Sequence, residues 1–304
     1  MIKVRVPATT ANLGPGFDCL GLALKLYLNL EIEEVTKEGL EIKYEGEGAE
    51  KFLTDENNLI WKSMDLVLKR SKNISDKKGL KIRVFNEIPV TRGLGSSAAA
   101  IIGGIVGITK LYNNNLTYQE ILELALSLEG HMDNIVPALI GGFTIAYKTG
   151  KEEIKWSKIK PSNDLRIVLS IPNFTLSTEK MRKVLPTKVP LSDAIFNLSR
   201  TSLLVNALQN SDWDVLSEAM EDKLHQPYRT PFIPGIEEVF SKIKGTGLAG
   251  VALSGSGPTV VSLTKKGSEK IISEIMKDTF LKAGINCQVL VLEADLEGTA
   301  VSNE

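Results

Sequence analysis

The chain has 304 residues, enough for about two domains of ordinary size and for a core that needs no disulfide or metal staple. Lysine plus arginine number 36 against 37 aspartate plus glutamate, a formal net charge of −1, which excludes a basic nucleic-acid-binding face and leaves room only for local basic pockets. With two histidines, His131 and His225, and two cysteines, Cys19 and Cys287, neither a Cys/His zinc cage nor a disulfide framework can be built.

The N-terminal MIKVRVPATT lacks the apolar run of a secretory signal. The uncharged stretches 96–109 and 134–147 are too short for a bilayer, and 245–264 is broken by Gly, Ser, Thr and Pro258. The reading is a cytoplasmic chain that engages neither membrane nor nucleic acid.

Residues 2–6 and 24–35 alternate apolar with polar side chains as half-buried strands do, and Lys37-Glu38-Gly39 turns the chain into a third such run over 40–44. Residues 57–70 place Ile60, Met64 and Val67 on one helical face, and 80–85 return to strand alternation. A small-residue helix is predicted over 96–111, and Thr117-Tyr118-Gln119-Glu120 is a capping box opening another towards Glu129. Beyond Lys148, 166–171 reads as a buried strand, and 191–208, 212–220 and 236–243 as helices. Short strands over 251–253 and 259–263, an amphipathic helix over 268–281 and a final strand over 287–292 close the chain. Strands and helices are partly segregated, which predicts an α+β fold of two lobes. The division is expected where Lys and Glu cluster around Trp156, giving 1–155 and 156–304.

Three small-residue motifs stand out. In Pro89-Val90-Thr91-Arg92-Gly93-Leu94-Gly95-Ser96-Ser97-Ala98-Ala99-Ala100, glycines that allow close approach feed a helix start whose free N–H groups favour an anion. The string is not a Walker A loop, and no protein-kinase signature occurs. Taken alone, it serves equally well as a tight turn before a close-packed helix, with Gly103 and Gly104 admitting a neighbour. Pro7-Ala8-Thr9-Thr10-Ala11-Asn12-Leu13-Gly14-Pro15-Gly16-Phe17-Asp18 leaves the first strand as a rigid loop, in which Asn12 and Asp18 also suit simple turn formation. Leu253-Ser254-Gly255-Ser256-Gly257-Pro258-Thr259 reads by default as a strand connection, and its N–H groups could equally form an anion nest.

Together, in this order and spacing, the three resemble the GHMP small-molecule kinase family, over nearly the whole chain from Val4 to Val289. The string PATTANLGPGFDCLG, starting at Pro7, has Thr10 where the family signature usually has Ser and Cys19 where it often has Ser. Met132 replaces a proline of the string GHPDN, which bears only on the rigidity of that loop. The resemblance implies the two-lobed GHMP-kinase fold, with a ribosomal-protein-S5-domain-2-like N-terminal lobe and a ferredoxin-like C-terminal lobe. It implies ATP as phosphoryl donor, held by Val90 to Ala100, by Asn58 on the adenine side and by Gly255, Ser256 and Gly257. It implies Mg²⁺ on Ser97 and Glu129. Without the resemblance, Glu129 near a helix C-terminus reads as a solvated carboxylate, mildly disfavoured by the dipole.

Within the family, the motifs resemble the members that phosphorylate the hydroxyl of L-homoserine, giving O-phospho-L-homoserine and ADP on the way to threonine. Arg182 and Arg229 would hold the substrate carboxylate, the bidentate chemistry suited to guanidinium. Asp18 would meet the ammonium, with Asn12, His131 and Asn134 lining the site. Glu129, Ser97, Asn134 and Arg182 form the implied catalytic set, and no general base is assigned. Of the two histidines, only His131 is expected to touch substrate, and a homodimer is compatible with the resemblance. Two other readings stand beside this one: a sibling kinase for mevalonate, a sugar or another alcohol, and a non-catalytic ligand sensor of the same fold.

Overall fold

The computed structural model of the protein describes residues 1–70 and 79–303. The first half of the chain forms β1 (Ile2–Ala11), β2 (Leu20–Val35), β3 (Leu40–Gly46), α1 (Leu59–Arg70), β4 (Gly79–Asn86), α2 (Ser96–Leu111), α3 (Tyr118–Glu129), α4 (Met132–Ile140), β5 (Phe143–Lys148) and β6 (Ile154–Ile159). The second half forms β7 (Leu165–Pro172), α5 (Thr178–Lys183), α6 (Leu191–Asn210), α7 (Leu216–Ala219), α8 (Gln226–Arg229), α9 (Ile236–Thr246), β8 (Ala249–Leu253), β9 (Val260–Lys265), α10 (Glu269–Lys282), β10 (Cys287–Leu292) and β11 (Ala300–Asn303).

One sheet has seven strands, β11-β1-β2-β4-β3 with β5 on the start of β2 and β6 outside β5. The other has four antiparallel strands in the order β10-β7-β9-β8. This is the two-lobed α+β architecture expected. β2 runs 16 residues because it serves two neighbours: residues 20–22 pair with β5 and 28–35 with β4. Pro7 offers no N–H to the ladder, and the β1–β2 register slips there, Pro7 facing Tyr27 but Ala8 facing Leu24.

α2 fills the space between this sheet and α1, with Ile101, Ile102, Ile105 and Ile108 fully buried. The approach expected of its small residues is observed: a Cβ on Gly104 would strike Ser63 Oγ of α1. The capping box also forms, Thr117 Oγ1 accepting from Glu120 N at 3.3 Å and Glu120 Oε2 from Thr117 N at 2.9 Å. In the second lobe α9 and α10 cover the small sheet with Val239, Ile243, Ile272, Met276 and Phe280.

Three sequence expectations are corrected. The predicted helix over 212–220 shrinks to α7. Residues 132–140, given no element in the sequence reading, form α4 despite Pro137. Pro137 cannot bond the carbonyl of Asp133 four residues back, and that oxygen lies against Gly21, where a side chain has no room. The last strand is β11, which returns to pair with β1 in the first sheet. Residues 154–159 pair with β5 as β6, and the chain enters the second sheet at Leu165. Among the described residues no helix is long and apolar enough to cross a membrane.

Candidate active site

The three motifs meet at one place. Leu94 O accepts from Thr9 N at 3.1 Å, and Gly93 O accepts from Ser254 Oγ at 2.6 Å, so the glycine loop is tied to both other motifs. Gly95, the residue before α2, adopts φ 68°, and a Cβ there would run into Thr9 Oγ1. Gly93, at φ 78°, is pressed against the Ser254 carbonyl. The loop thus delivers the start of α2, with no acidic residue in its first turn, to a cavity of about 270 Å³. Free N–H groups and the positive end of the dipole face that cavity.

Glycine-loop residues Val90 to Ser97 and Ala100 line it, whereas Ala98 and Ala99 are buried in the core. Gly255 and Ser256 also line it, but Gly257 does not: its N–H donates to Ser254 O at 2.9 Å. At one end Asn58 donates to Tyr44 Oη and Leu53 O, both at 2.6 Å, while its Oδ1 caps α1 through Ile60 N at 2.9 Å. The Asn58 amide is thereby consumed in shaping the wall. Tyr44 and Phe52, stacked at 4.8 Å between ring centroids, supply an apolar ledge beside it. Sequence reasoning missed both. Tyr44 closes an alternating strand and looks like any half-buried aromatic, and Phe52 sits in a loop without periodicity.

Further along the cavity, Ser97 Oγ donates to Glu129 Oε2 at 2.7 Å. The Glu129 side chain is only 13% exposed, and burial pushes its carboxyl above the ordinary range, against the Ser97 hydrogen bond and the charge of Arg182. His131 Nδ1 lies 3.8 Å from Glu129 Oε1, and burial followed by the charge of Arg182 holds the ring below its ordinary value. Asp133, buried and also lining the cavity, has its carboxyl raised to about 7, first by burial and then by the charge of Asp18. The sequence showed Asp133 only as part of a string; nothing in it marks the burial. Asn134 is oriented by Thr9, whose hydroxyl donates to its Oδ1 at 2.8 Å.

At the far end Arg182 meets Asp18 through two hydrogen bonds, 2.6 and 3.0 Å. Asp18 itself is outside the lining and is fixed by its own N–H on Asn12 Oδ1 at 3.0 Å, while Asn12 Nδ2 donates to Gly255 O. Arg182 and Arg229 both lie over the Phe17 ring, 5.6 and 5.3 Å from its centroid. Burial and the neighbouring charge of Arg182 lower Arg229 to about 10. Two guanidiniums lining one cavity, the charge of one felt by the other, favour an anion there.

Six buried side-chain polar atoms lack a partner among the described residues, and three of them, Arg92 Nε, His131 Nδ1 and Arg182 Nε, belong to residues lining this cavity. Buried donors left unpaired are costly, so their convergence marks a ligand site. No group of three or more His, Cys, Asp or Glu placed to hold a metal ion occurs among the described residues. The donor set here, one largely buried carboxylate bonded to one hydroxyl at a helix start, fits a hard divalent cation that completes its shell with water and phosphate oxygens.

A glycine loop opening onto a helix start, beside a carboxylate–hydroxyl pair, is the site of a small-molecule kinase, and the family models agree: residues 58–142 match the GHMP kinases N terminal domain and residues 204–282 the GHMP kinases C terminal. The homoserine kinase of Petrotoga mobilis is 45% identical over 304 residues, covering 100% of this chain and 97% of the relative. Among solved structures, homoserine kinase from Cytophaga hutchinsonii superposes with a TM-score of 0.88 at 28% identity, covering 99% of this chain and 97% of that one. A putative homoserine kinase from Listeria monocytogenes gives 0.78 at 30% identity, with 100% of both chains covered. The chain belongs to the homoserine kinase family.

Proposed function

We propose that the protein transfers the γ-phosphoryl group of ATP to the side-chain hydroxyl of L-homoserine, giving O-phospho-L-homoserine and ADP in threonine biosynthesis. The observation that carries the choice of substrate is the meeting of Arg182, Arg229 and Asp18 at one end of the cavity. A zwitterion needs both signs of charge there, and a sugar or mevalonate has no ammonium for Asp18.

In this reading the chain works by positioning and charge, as phosphoryl transfer requires. The first-turn N–H groups of α2 and the backbone of Val90 to Gly95 cradle the phosphates and stabilise the charge that develops on the leaving oxygen. Adenine rests on the Tyr44–Phe52 ledge. Glu129 and Ser97 would hold Mg²⁺, which when bound supplies charge neutralisation along the phosphates. Arg182 and Arg229 take the substrate carboxylate, Asp18 takes the ammonium, and Asn12, His131 and Asn134 complete the wall. The hydroxyl is thereby held in line with the transferred group.

A coupled assay of ADP release tests this with L-homoserine, its decarboxylated and N-acetylated analogues, and mevalonate. Turnover of L-homoserine with poor use of the analogues is expected. Preferential turnover of mevalonate would select the sibling kinase, and ATP binding without ADP release on any acceptor would select the ligand sensor.

A further inference from the structure

Behind the guanidinium end of the cavity lies a buried group that this mechanism leaves unused. His225 is fully buried and its ring stacks on Phe17 at 5.2 Å between centroids. Its Nε2 lies 2.7 Å from the Gly14 carbonyl oxygen and its Nδ1 lies 3.2 Å from Arg229 Nη1. Each partner has a single capability: a carbonyl oxygen only accepts, and a guanidinium only donates. The ring is therefore neutral, with its proton on Nε2 and its lone pair on Nδ1. Arg229 also donates from Nε to Met181 O at 3.2 Å and from Nη1 to Gly255 O at 3.1 Å. Both Nη1 hydrogens and the Nε hydrogen are thus committed, and the Nη2 edge remains for a ligand.

We infer that His225 is a positioning residue for substrate recognition: its Nδ1 lone pair receives the Arg229 Nη1–H and so aims the Nη2 edge at the substrate carboxylate. The inference rests on the homoserine reading above. It adds a group 211 residues away from Gly14, the backbone position that sets its tautomer.

The charged neighbours of the ring come from four elements. Asp222, before α8, places Oδ2 3.6 Å from Nε2, but its oxygens are already taken by the N–H groups of Leu224, His225 and Gln226 and by Asn197 Nδ2. Arg229 stands on α8, Asp18 in the loop after β1, and Arg182 on α5 beyond Phe17. Burial, then Arg229, depress His225 below its ordinary value, against Asp222, the Gly14 carbonyl and Asp18. A proton added at Nδ1 would face Nη1–H with like charge and no acceptor. As pH falls through the depressed value, the protonated fraction grows and homoserine affinity declines with it.

The test joins nitrogen-15 NMR of the wild-type His225 ring to steady-state kinetics of three variants. An unprotonated Nδ1 at neutral pH is expected. His225→Phe and His225→Gln should raise the KM for homoserine roughly tenfold, the worth of one hydrogen bond to a charged group, while the KM for ATP stays within about twofold. His225→Asn, whose Oδ1 stands where Nδ1 stood, should restore most of that loss and remove the acid limb of kcat/KM for homoserine. A ring protonated on Nδ1 at neutral pH would overturn the inference, as would variants that raise both KM values together. Where a variant does not fold, the wild-type tautomer decides. Failure of the wild type to phosphorylate homoserine would sink the substrate reading instead, with the NMR result still deciding the His225–Arg229 contact.

Discussion

Arg182 and Asp18 hold each other in a two-pronged ion pair of 2.6 and 3.0 Å across 164 residues of chain. A zwitterionic substrate entering this end exchanges that pair for two others, its carboxylate against Arg182 and its ammonium against Asp18. The exchange keeps both half-buried charges paired, which a substrate lacking either charge cannot do. Asp18→Asn is expected to raise the KM for homoserine tenfold or more, by roughly 1.5–3 kcal/mol, with the KM for ATP unchanged. Arg182→Lys should rescue little, because an ammonium cannot reproduce the fork. Steady-state kinetics with each substrate varied in turn checks both; loss of kcat with homoserine affinity intact in Asp18→Asn would contradict the placement.

The Ser97–Glu129 bond leads to a second expectation. Glu129→Gln should lower kcat by roughly a hundredfold or more and raise the magnesium concentration needed for half-maximal rate. Ser97→Ala should act in the same direction and more weakly, since water can replace a hydroxyl. Rates measured across a magnesium titration separate this from a fold defect, which would not respond to the metal.

Gly95→Ala tests the cradle itself. The left-handed backbone and the Thr9 Oγ1 contact both oppose a methyl group, a penalty of about 1–3 kcal/mol. A lower Tm and a raised KM for ATP are expected together, and a melt plus a nucleotide titration reads them.

Asp133 makes a pH prediction. Its carboxyl is raised from 3.8 to about 7 in the folded protein, so between those values the folded state binds a proton that the unfolded state has released. The stability this group contributes is present in full below its unfolded value and is lost as pH rises through about 7. Asp133→Asn should therefore raise Tm relative to wild type at pH 8 and converge with it near pH 4, in thermal melts without substrate. Equal differences at both ends would refute the assignment.

Local signals carried much of the architecture. The start of α2 and the capped start of α3 were legible because glycine followed by serine, and the Thr117–Glu120 box, act within one turn of helix. α4 was given no element in the sequence reading; its Pro137 leaves the Asp133 carbonyl without its helical partner, and that oxygen lies against Gly21, a contact between residues distant in sequence. In the candidate site, Arg182, Asp18 and Glu129 were named through motif resemblance. The raised carboxyl of Glu129 was not legible, since burial sets it against the approach of Ser97 and Arg182, both distant in sequence. Gly257, Ala98 and Ala99 belong to the motifs but not to the cavity wall, a difference that the string of residues does not carry.

The pairing of β11 with β1 has a consequence for synthesis. Residues 2–5 acquire their outer hydrogen-bonding neighbour only from residues 300–303. During translation the strand that feeds the Asn12–Asp18 loop therefore carries an open edge until residues 300–303 have been made and can dock on it. A nascent chain stalled before that point presents that edge to other chains as a template for pairing.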